Sequence, residues 1–302
     1  MKAAVIDLGS NSVRLLVAEI EEGKINQIFK DLATTRLGAG VVKNGMLWRD
    51  SIEKTVSAVE AFKNKAMAFG CQRIVAFATS AVREAKNGGE FMQELKERVG
   101  LEVRLLSGRE EAKLSFIGAK ESLKVEGRAL VIDIGGGSTE FALGEKEIEL
   151  EESLPMGAVR WTEQFLKSDP PKNEEIKALQ MEARKLLSGF EKNFKKVKAG
   201  GVNAIGVGGT FTSLCAILKK LEEYHWTKVH GTYLEYEKME KMTKELCGFN
   251  LDQRKKIPGL AAERADIIAA GALIALEIMR FLGLKTIVVS EADLMEGFLL
   301  TN

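Results

Sequence analysis

The sequence is poor in the residues that bind zinc or form disulfides. It contains two histidines, His225 and His230, and three cysteines, Cys71, Cys215 and Cys247, with no C-x-x-C pair. Structural zinc sites of the His/Cys type use four such ligands, usually at short spacings, so this sequence disfavours one. The odd number and wide spacing of the cysteines predict free thiols in a reducing compartment.

An excess of one charge and a long uncharged apolar run are also missing. The 44 Lys and Arg residues nearly balance the 43 Asp and Glu residues, so the net charge gives no reason to expect binding to nucleic acid or to an anionic membrane. The longest apolar stretch, Ile267–Leu284, is interrupted by Glu277 and Arg280, which predicts a buried helix and not a membrane span. The sequence enters a predicted strand at once and leaves no room for a signal peptide, so we expect a cytoplasmic protein.

What the sequence does contain is a repeated motif. The string V-I-D-[L/I]-G occurs at Val5–Gly9 and at Val131–Gly135, each time followed by small polar residues and a returning strand. The repeat predicts two copies of a three-strand meander. Alternating strands and helices follow each copy and predict α/β layers. A chain of 302 residues is long enough for two domains, and we place the break near Lys124–Gly127.

Four of the elements predicted for the second half bear on the comparison with the structure. Hydrophobic periodicity favours helices over Asn173–Lys196, Thr212–Leu221 and Arg264–Phe281, and a short apolar run predicts a strand over Thr286–Val289.

The two repeated turns carry chemistry that suits phosphate. In the first, Gly9 is followed by Ser10, Asn11 and Ser12, and in the second Gly135, Gly136 and Gly137 are followed by Ser138 and Thr139. Such turns offer backbone N–H groups and small hydroxyls to an anion. The first could equally be an ordinary hairpin turn, but three consecutive glycines weaken a strand and favour close approach of a ligand.

Acidic residues bracket these turns. Asp133 and Glu140 stand on either side of the second loop, and Asp7 occupies the corresponding place before the first. Carboxylate oxygens are the ligands that Mg²⁺ prefers, so these side chains are candidate metal ligands. The alternative is a hairpin with acids on its surface.

A third glycine-rich turn, Gly206–Thr210, follows a predicted strand and opens a helix. The N–H groups at that helix N-terminus suit an anion. The pattern also fits simple helix entry with Thr210 as the cap. A dinucleotide site is disfavoured because G-x-G-x-x-G is absent from this turn and from the first one.

Two further motifs are ambiguous on spacing alone. Ser107 and Glu110 have the S-x-x-E spacing of a capping box. Glu111 could then be a general base at the cleft, but the spacing alone favours a solvated residue of the first helical turn. Arg83 follows a strand end and could bind phosphate through its planar fork or form a surface pair with Glu84 or Glu90.

Taken together, the sequence resembles the exopolyphosphatase/guanosine pentaphosphate phosphohydrolase (Ppx/GppA) family of the actin-like ATPase superfamily. The resemblance covers nearly the whole chain through DLGSNSVRLL (7–16), ATSAVREA (78–85), SGREEA (107–112), VIDIGGGSTE (131–140), GVGGT (206–210) and PGLAAERADII (258–268). It implies two duplicated actin-like (ribonuclease H-like) α/β domains with an active-site cleft between them. Residues 1–124 plus about 285–302 would form the N-terminal domain, and residues 125–284 the second domain.

The resemblance also implies roles for individual residues. Glu111 matches the family's catalytic carboxylate, and Arg83 an arginine that lines the active site. Asp133 and Glu140 match the acids where Mg²⁺ is expected, with Asp7 as a further ligand. The expected phosphate-binding residues are Gly9, Ser10, Asn11, Ser12, Arg14, Gly135, Gly136, Gly137, Ser138, Thr139, Gly208, Gly209, Thr210 and Arg264.

The implied activity is release of a terminal phosphate from inorganic polyphosphate or guanosine pentaphosphate by attack of water. Guanosine tetraphosphate is a further expected ligand, and a homodimer is the implied assembly. Two alternatives stay open: an actin-like-fold kinase, and a non-catalytic nucleotide-binding regulator. SGREEA has no obvious kinase counterpart, and retention of Glu111, Asp133 and Glu140 argues against loss of catalysis.

The sequence departs from the family pattern in two ways. Family members often have an arginine before the Glu-Gly of the last helix, where this chain has Met295. Longer members carry an additional helical C-terminal region, and this sequence corresponds to the short two-domain form, for which we expect no strong preference for very long polymer.

Overall fold

The computed structural model describes residues 1–21, 24–198 and 201–301 and contains two β-sheets with helices on both faces. The strands are β1 Lys2–Leu8, β2 Ser12–Glu21, β3 Lys24–Thr34, β4 Arg73–Ala78, β5 Val103–Leu105, β6 Ala129–Ile134, β7 Thr139–Gly144, β8 Ile148–Leu154, β9 Asn203–Val207, β10 Tyr233–Glu235 and β11 Thr286–Val289. The helices are α1 Val41–Asn44, α2 Arg49–Ala68, α3 Ser80–Glu84, α4 Gly88–Val99, α5 Gly108–Leu123, α6 Ala158–Phe165, α7 Asn173–Gly189, α8 Glu191–Lys198, α9 Gly208–Leu218, α10 Trp226–Val229, α11 Tyr236–Gly248, α12 Leu251–Arg254, α13 Ile268–Leu282 and α14 Leu294–Thr301, with a 3₁₀ turn at Ala262–Arg264.

The two sheets repeat one topology. The first has the order β3-β2-β1-β4-β5 and the second β10-β11-β9-β6-β7-β8. In each, an antiparallel meander is extended by a parallel strand on the far side of its first strand, β4 beside β1 and β9 beside β6. The turns match too, since Gly9 N donates to Ser12 O and Gly135 N to Ser138 O, both over 3.0 Å. The predicted duplicated α/β fold is confirmed.

Helices cover both faces of each sheet. The helices α2 and α4 pack on one face of the first sheet and α14 on the other. The second sheet carries α7, α9, α11 and α13 on one face and α5 on the other. The helices α5 and α14 pack against each other between the two sheets. The two halves therefore exchange helices. Helix α5 follows the first sheet in sequence but packs on the second, and α14 follows the second sheet but packs on the first.

The predicted return of residues 285–302 to the first domain needs correction. Strand β11 belongs to the second sheet, where Val288 pairs with Ile205 of β9. Only α14 packs on the first sheet, through Leu294, Met295 and Phe298. The predicted strand had the right bounds, but its sheet is decided by long-range hydrogen bonds that its sequence does not reveal. Met295, which replaces the family's usual arginine, is buried among apolar side chains.

Three helix predictions were wrong at their bounds. The single helix expected over residues 173–196 is broken at Phe190 into α7 and α8, next to Gly189, a poor helix former. The helix expected from Thr212 begins already at Gly208, and the one expected from Arg264 begins at Ile268 after the 3₁₀ turn. The short elements α1, α3, α10, α12 and β10 were not predicted. The Glu22-Gly23 pair predicts a turn between β2 and β3, and this prediction lies outside the described residues.

The apolar segment near the C-terminus forms a core helix. Nearly every residue of α13 is buried in the second domain. Within residues 1–21, 24–198 and 201–301, no helix combines the length and apolarity that crossing a membrane requires.

The crossing of α5 and α14 depends on two glycines. A Cβ on Gly118 would lie 2.8 Å from the backbone nitrogen of Gly297 and would also collide with Asp293 O. A Cβ on Gly297 would collide with Leu114 O. The helix backbones are therefore in direct contact, and neither position has room for a side chain.

We expect Gly297→Ala to lower the free energy of unfolding by about 1–3 kcal/mol, because the added methyl forces the two helices apart. Urea unfolding monitored by circular dichroism measures this. Gly89→Ala in α4 is the matched control, since its Cβ would meet nothing within 4 Å, and it should stabilise the protein by about 0.5–1 kcal/mol. Equal unfolding midpoints for the wild type and Gly297→Ala would contradict the close packing.

Candidate active site

A cavity of about 710 Å³ lies where the glycine-rich turns of the two halves meet. Its lining includes Glu111, the three predicted metal ligands and, except for Thr139, all the predicted phosphate-binding residues. Two residues that the sequence predicted for this site do not line it. Thr139 is fully buried and its hydroxyl donates to Met156 O, and Arg83 lies behind Glu111. The fold thus brings three separate sequence motifs to one cavity.

The two predicted phosphate loops touch each other. A Cβ on Gly136 would lie 2.9 Å from Ser10 Cβ and 3.4 Å from Asn11 N, and a Cβ on Gly137 would collide with Ser80 Oγ. Glycine is needed here because the loops of opposite halves approach each other, in addition to any approach of a ligand.

The equivalent strand pairs of the two halves carry different charges. Asp7 lies opposite Arg14 in the first sheet, and Asp133 lies opposite Glu140 in the second. Opposite charges across a strand pair stabilise it and like charges destabilise it. The first pair is therefore compensated within the protein, and the second requires a proton or a cation.

The predicted phosphate ligand Arg14 is engaged by two carboxylates. Its guanidinium donates to Asp7 Oδ2 over 2.8 and 2.6 Å and to Asp293 Oδ2. Asp293, at the start of α14, was not predicted, because nothing in its local sequence points to the cleft. Asp7 Oδ1 is buried without a hydrogen-bond partner. That oxygen is the one through which Asp7 can bind a cation.

The acidic pair of the second sheet is held by serines. Ser115 Oγ donates to Asp133 Oδ2 over 3.1 Å, and Ser153 Oγ to Glu140 Oε1 over 2.8 Å. Burial raises the pKa of Asp133 to about 8, with the charges of Asp293 and Glu140 adding to the effect. Burial also raises the pKa of Glu140. Neither serine was predicted, since each is far from its acid in sequence.

Glu111 is buried and paired with an arginine, which is incompatible with the prediction of a solvated side chain. The capping box forms, with Ser107 accepting from Glu110 N and the Glu110 carboxylate accepting from Ser107 N. Glu111 is 7% exposed and accepts a hydrogen bond from Arg83. Burial raises the pKa of Glu111 well above its ordinary value, and the charge of Glu140 adds to this while Arg83 opposes it. The prediction that Glu111 is a solvated residue of the first helical turn is therefore wrong.

Arg83 supports Glu111 from the first domain. It also donates to Leu106 O over 2.7 Å, which fixes the guanidinium between a strand end and the helix that carries Glu111. The alternative prediction, that Arg83 forms a surface ion pair with Glu84 or Glu90, is wrong. Arg83 pairs with Glu111, and Glu84 pairs with Arg160.

The third glycine-rich turn brings a cation to the cavity. Gly208 has a φ of +81° and a Cβ there would collide with Asp133 Oδ1, so both its conformation and its closeness to the acid favour glycine. Arg264 lies against Gly209, where a Cβ would overlap the guanidinium. Within the described part of the chain, no oxygen accepts a hydrogen bond from that guanidinium. Thr210 is not the cap; Val207 occupies that position, and the Thr210 hydroxyl donates to Ile134 O.

Comparison with known proteins agrees with this arrangement. The profile of the Ppx/GppA phosphatase family matches residues 16–302. The chain belongs to this family. As a Ppx/GppA protein it is a hydrolase of phosphoanhydride bonds, the class to which exopolyphosphatases belong.

Two curated relatives illustrate the range of this family. Exopolyphosphatase 2 of Mycobacterium tuberculosis is 30% identical over 315 residues, which cover 99% of this chain and 98% of that protein. The bifunctional 3-dehydroquinate synthase/phosphatase of Fusobacterium nucleatum is 33% identical over 310 residues, which cover 98% of this chain and 46% of that protein. The chain thus spans less than half of the bifunctional relative.

Solved structures share the fold over their full length. The Ppx/GppA family member from Aquifex aeolicus superposes with a TM-score of 0.82 at 35% identity, covering 100% of this chain and 97% of that one. An exopolyphosphatase from Cytophaga hutchinsonii gives a TM-score of 0.90 at 25% identity with the same coverage.

Proposed function

We propose that this Ppx/GppA protein is an exopolyphosphatase that releases terminal phosphate from inorganic polyphosphate by attack of water. The observation that carries the proposal is the buried Glu111, paired with Arg83, at the cavity where the glycine-rich turns meet. The names of the relatives, among them exopolyphosphatases at about 30% identity over nearly the whole chain, support the choice of substrate.

In this proposal, separate groups of residues bind the phosphates and transfer the proton. Backbone N–H groups and hydroxyls of Gly9–Ser12 and Gly135–Ser138, together with the Arg264 guanidinium, bind the phosphates. Glu111 accepts the proton of the attacking water, and its raised pKa makes it a stronger base than an ordinary glutamate. Arg83 orients Glu111. No covalent nucleophile is required, because phosphoryl transfer depends mainly on positioning and electrostatic stabilisation.

The chemistry of the site fits a divalent cation such as Mg²⁺. Asp133 and Glu140 are buried like charges on one strand pair, and Asp7 Oδ1 lacks a partner. These residues would hold the ion, which when bound neutralises charge on the transferring phosphate. No group of three or more acidic, His or Cys side chains in the described ranges is arranged to hold a metal by itself. Mg²⁺ bound by one or two carboxylates takes its other ligands from phosphate and water.

A second substrate, guanosine pentaphosphate, is favoured by aromatic side chains in the lining of the same cavity. Tyr224 and Trp226 are among its lining residues. Inorganic polyphosphate has no group that would use aromatic side chains, whereas a guanine base stacks on them. Guanosine tetraphosphate would use the same contacts as a ligand.

The homodimer and the cytoplasmic location implied by the resemblance stay predictions.

The test is phosphate release with Mg²⁺ from short polyphosphate, long polyphosphate, guanosine pentaphosphate and ATP, measured side by side. Release from polyphosphate supports the proposal, and faster release from guanosine pentaphosphate would make the nucleotide the main substrate. Phosphate transfer from ATP that depends on an added acceptor would point to a kinase. Tight binding of guanosine tetraphosphate without turnover of any substrate would point to a regulator.

We expect Arg264→Gln to raise KM for polyphosphate on the order of 10-fold, because it removes a charge-assisted hydrogen bond to phosphate. Burial lowers the pKa of Arg264 to about 10, so the wild-type side chain is charged under assay conditions near pH 7.5. Steady-state kinetics measure the effect. Arg280→Gln is the control, because Arg280 lies on the helix that follows and binds Glu277 and Glu240 outside the cavity. An unchanged KM in Arg264→Gln would remove Arg264 from phosphate binding.

A further inference from the structure

A second arginine, Arg160 on α6, connects the two halves of the molecule behind the cavity. Its Nε donates to Gly137 O of the second phosphate loop over 2.6 Å, and its Nη2 donates to Glu84 of the first domain. Glu84 also accepts a hydrogen bond from Ser80 Oγ over 2.9 Å. One planar guanidinium thus bridges a loop carbonyl of one half and a carboxylate of the other, which only an arginine fork can do.

The elements that this bridge joins carry Arg83 and the second phosphate loop. Glu84 is the last residue of α3, and the residue before it is Arg83, which binds Glu111. Gly137 belongs to the loop between Asp133 and Glu140. Glu111 itself is carried by α5, which packs on the second sheet. A shift of α3 relative to the loop therefore moves Arg83 away from Glu111 and changes the charge balance at the acidic pair.

The helix α6 is built to hold both sides. Its N-terminal amides bind the loop, with Ala158 N donating to Gly135 O over 2.9 Å and Arg160 N to Gly136 O over 3.0 Å. One turn later, Glu163 accepts hydrogen bonds from Gly40 N of the first domain over 3.1 and 3.3 Å. Two side chains three positions apart lie on one helix face, so this face of α6 reaches across to the other half.

Arg160 is not placed to bind substrate. It is absent from the lining of the large cavity and borders a separate gap of about 10 Å³ behind the loops, together with Ser10, Ser80 and Gly137. A gap of that size holds about one water molecule and no phosphate group.

We propose that Arg160 is a positioning residue for the hydrolysis. It acts through Glu84 to hold α3 at a fixed distance from the second phosphate loop, which keeps Arg83 in place against Glu111. This inference rests on the proposed function. It separates Arg160 from Arg14 and Arg264, which line the cavity.

Because Arg160 lies behind the loops and not in the cavity, its replacement should affect kcat more than KM. We expect Arg160→Gln to lower kcat about 10- to 100-fold, the cost of a small misplacement of reacting groups. KM for polyphosphate should change by less than about threefold, since no contact with substrate is lost. Arg160→Lys keeps the charge but cannot reach both acceptors in one plane, so it should restore only part of the rate.

A double-mutant cycle tests the connection through Glu84. Glu84→Gln should resemble Arg160→Gln, and the double variant should be no slower than the slower single variant, because both remove one bridge. The control is Arg128→Gln, which removes an arginine that binds Glu149 over 2.9 and 2.7 Å at the opposite end of β6. It should leave kcat and KM unchanged. Additive losses in the double variant, or a raised KM with normal kcat in Arg160→Gln, would overturn the proposal.

Hydrogen–deuterium exchange provides a readout that does not depend on turnover. Amides of residues 80–84 and 135–138 should exchange faster in Arg160→Gln and in Glu84→Gln than in the wild type, with no change in Arg128→Gln. Unchanged exchange in the first two variants would overturn the bridge. If the wild type itself releases no phosphate from any substrate, the proposed function fails, and the exchange still decides whether Arg160 holds the two elements together.

Discussion

Glu111→Gln is expected to lower kcat for phosphate release on the order of 10²–10⁴-fold, the usual contribution of a positioned general base. Glutamine keeps the size of the side chain and its hydrogen bond from Arg83 but cannot accept a proton from water. Burial beside Glu140 holds the pKa of Glu111 well above its ordinary value. The base must be ionised to act, so the wild-type kcat/KM should fall with decreasing pH along a limb that lies well above pH 4.5.

The neighbouring residue supplies a matched control. Glu110 differs from Glu111 by one position, and its carboxylate caps α5 by accepting from Ser107 N over 2.9 Å. Glu110→Gln should keep near-normal kcat and at most lose about 1 kcal/mol of stability. Initial rates of phosphate release across pH 5–9 measure both variants. Equal kcat in Glu111→Gln and Glu110→Gln would remove Glu111 from the role of base.

Asp133→Asn is expected to stabilise the metal-free protein at alkaline pH while abolishing most of its turnover. The folded state raises the pKa of Asp133 to about 8 from an ordinary 3.8, so the folded protein binds a proton over that window that the unfolded chain has lost. Stability from this group is therefore present at low pH and lost as pH rises between about 4 and 8, by up to about 1.4 kcal/mol per pH unit. Asparagine stays neutral, which removes this loss.

Magnesium should counteract this loss of stability in the wild type. A bound cation favours the ionised carboxylate, so Mg²⁺ should raise the wild-type melting temperature at pH 8 and have little effect on Asp133→Asn. Thermal unfolding between pH 5 and 9, with and without Mg²⁺, measures this. Asp252→Asn is the control, because the Asp252 side chain is exposed, and it should behave as the wild type. A variant Asp133→Asn that kept the wild-type pH dependence, or kept its turnover, would exclude Asp133 as a cation ligand.

The comparison of the two repeats explains why these effects fall on the second half. Position for position, Arg14 of the first repeat corresponds to Glu140 of the second. The first acid is thereby neutralised by the protein, whereas the second pair is left with like charges in a buried place. The duplication alone, read from the sequence, suggested two equal loops; the residue opposite each aspartate makes them different.

Several features could be predicted because they depend on neighbours in sequence. The meander strands, the capping box of Ser107 and Glu110, and the glycine-rich turns are set by hydrogen bonds between residues a few positions apart. The placement of Glu111 in the cleft needed the family resemblance as well, since the spacing alone favoured a solvated side chain. Its burial and its partner Arg83, 28 residues earlier in the sequence, were visible only in the folded structure.

Other features were missed because their partners are distant. Asp293 meets Arg14 across 279 positions, and Arg160 meets Glu84 across 76. The sheet that receives β11, and the exchange of α5 and α14 between the halves, likewise depend on which apolar faces meet. Such contacts follow from the packing of whole elements, which local propensity does not determine.

The sequence by itself determined the family, the repeated meander, the glycine-rich turns and the acids that bracket them, because backbone conformation and hydrogen bonding within a turn are local. The tertiary structure decided which of these groups carry a charge and which are neutralised. Burial and the distance to opposite charges set that balance. Both arise only when Glu111, Asp133 and Glu140 are brought into one cavity by strands and helices that are far apart in the chain.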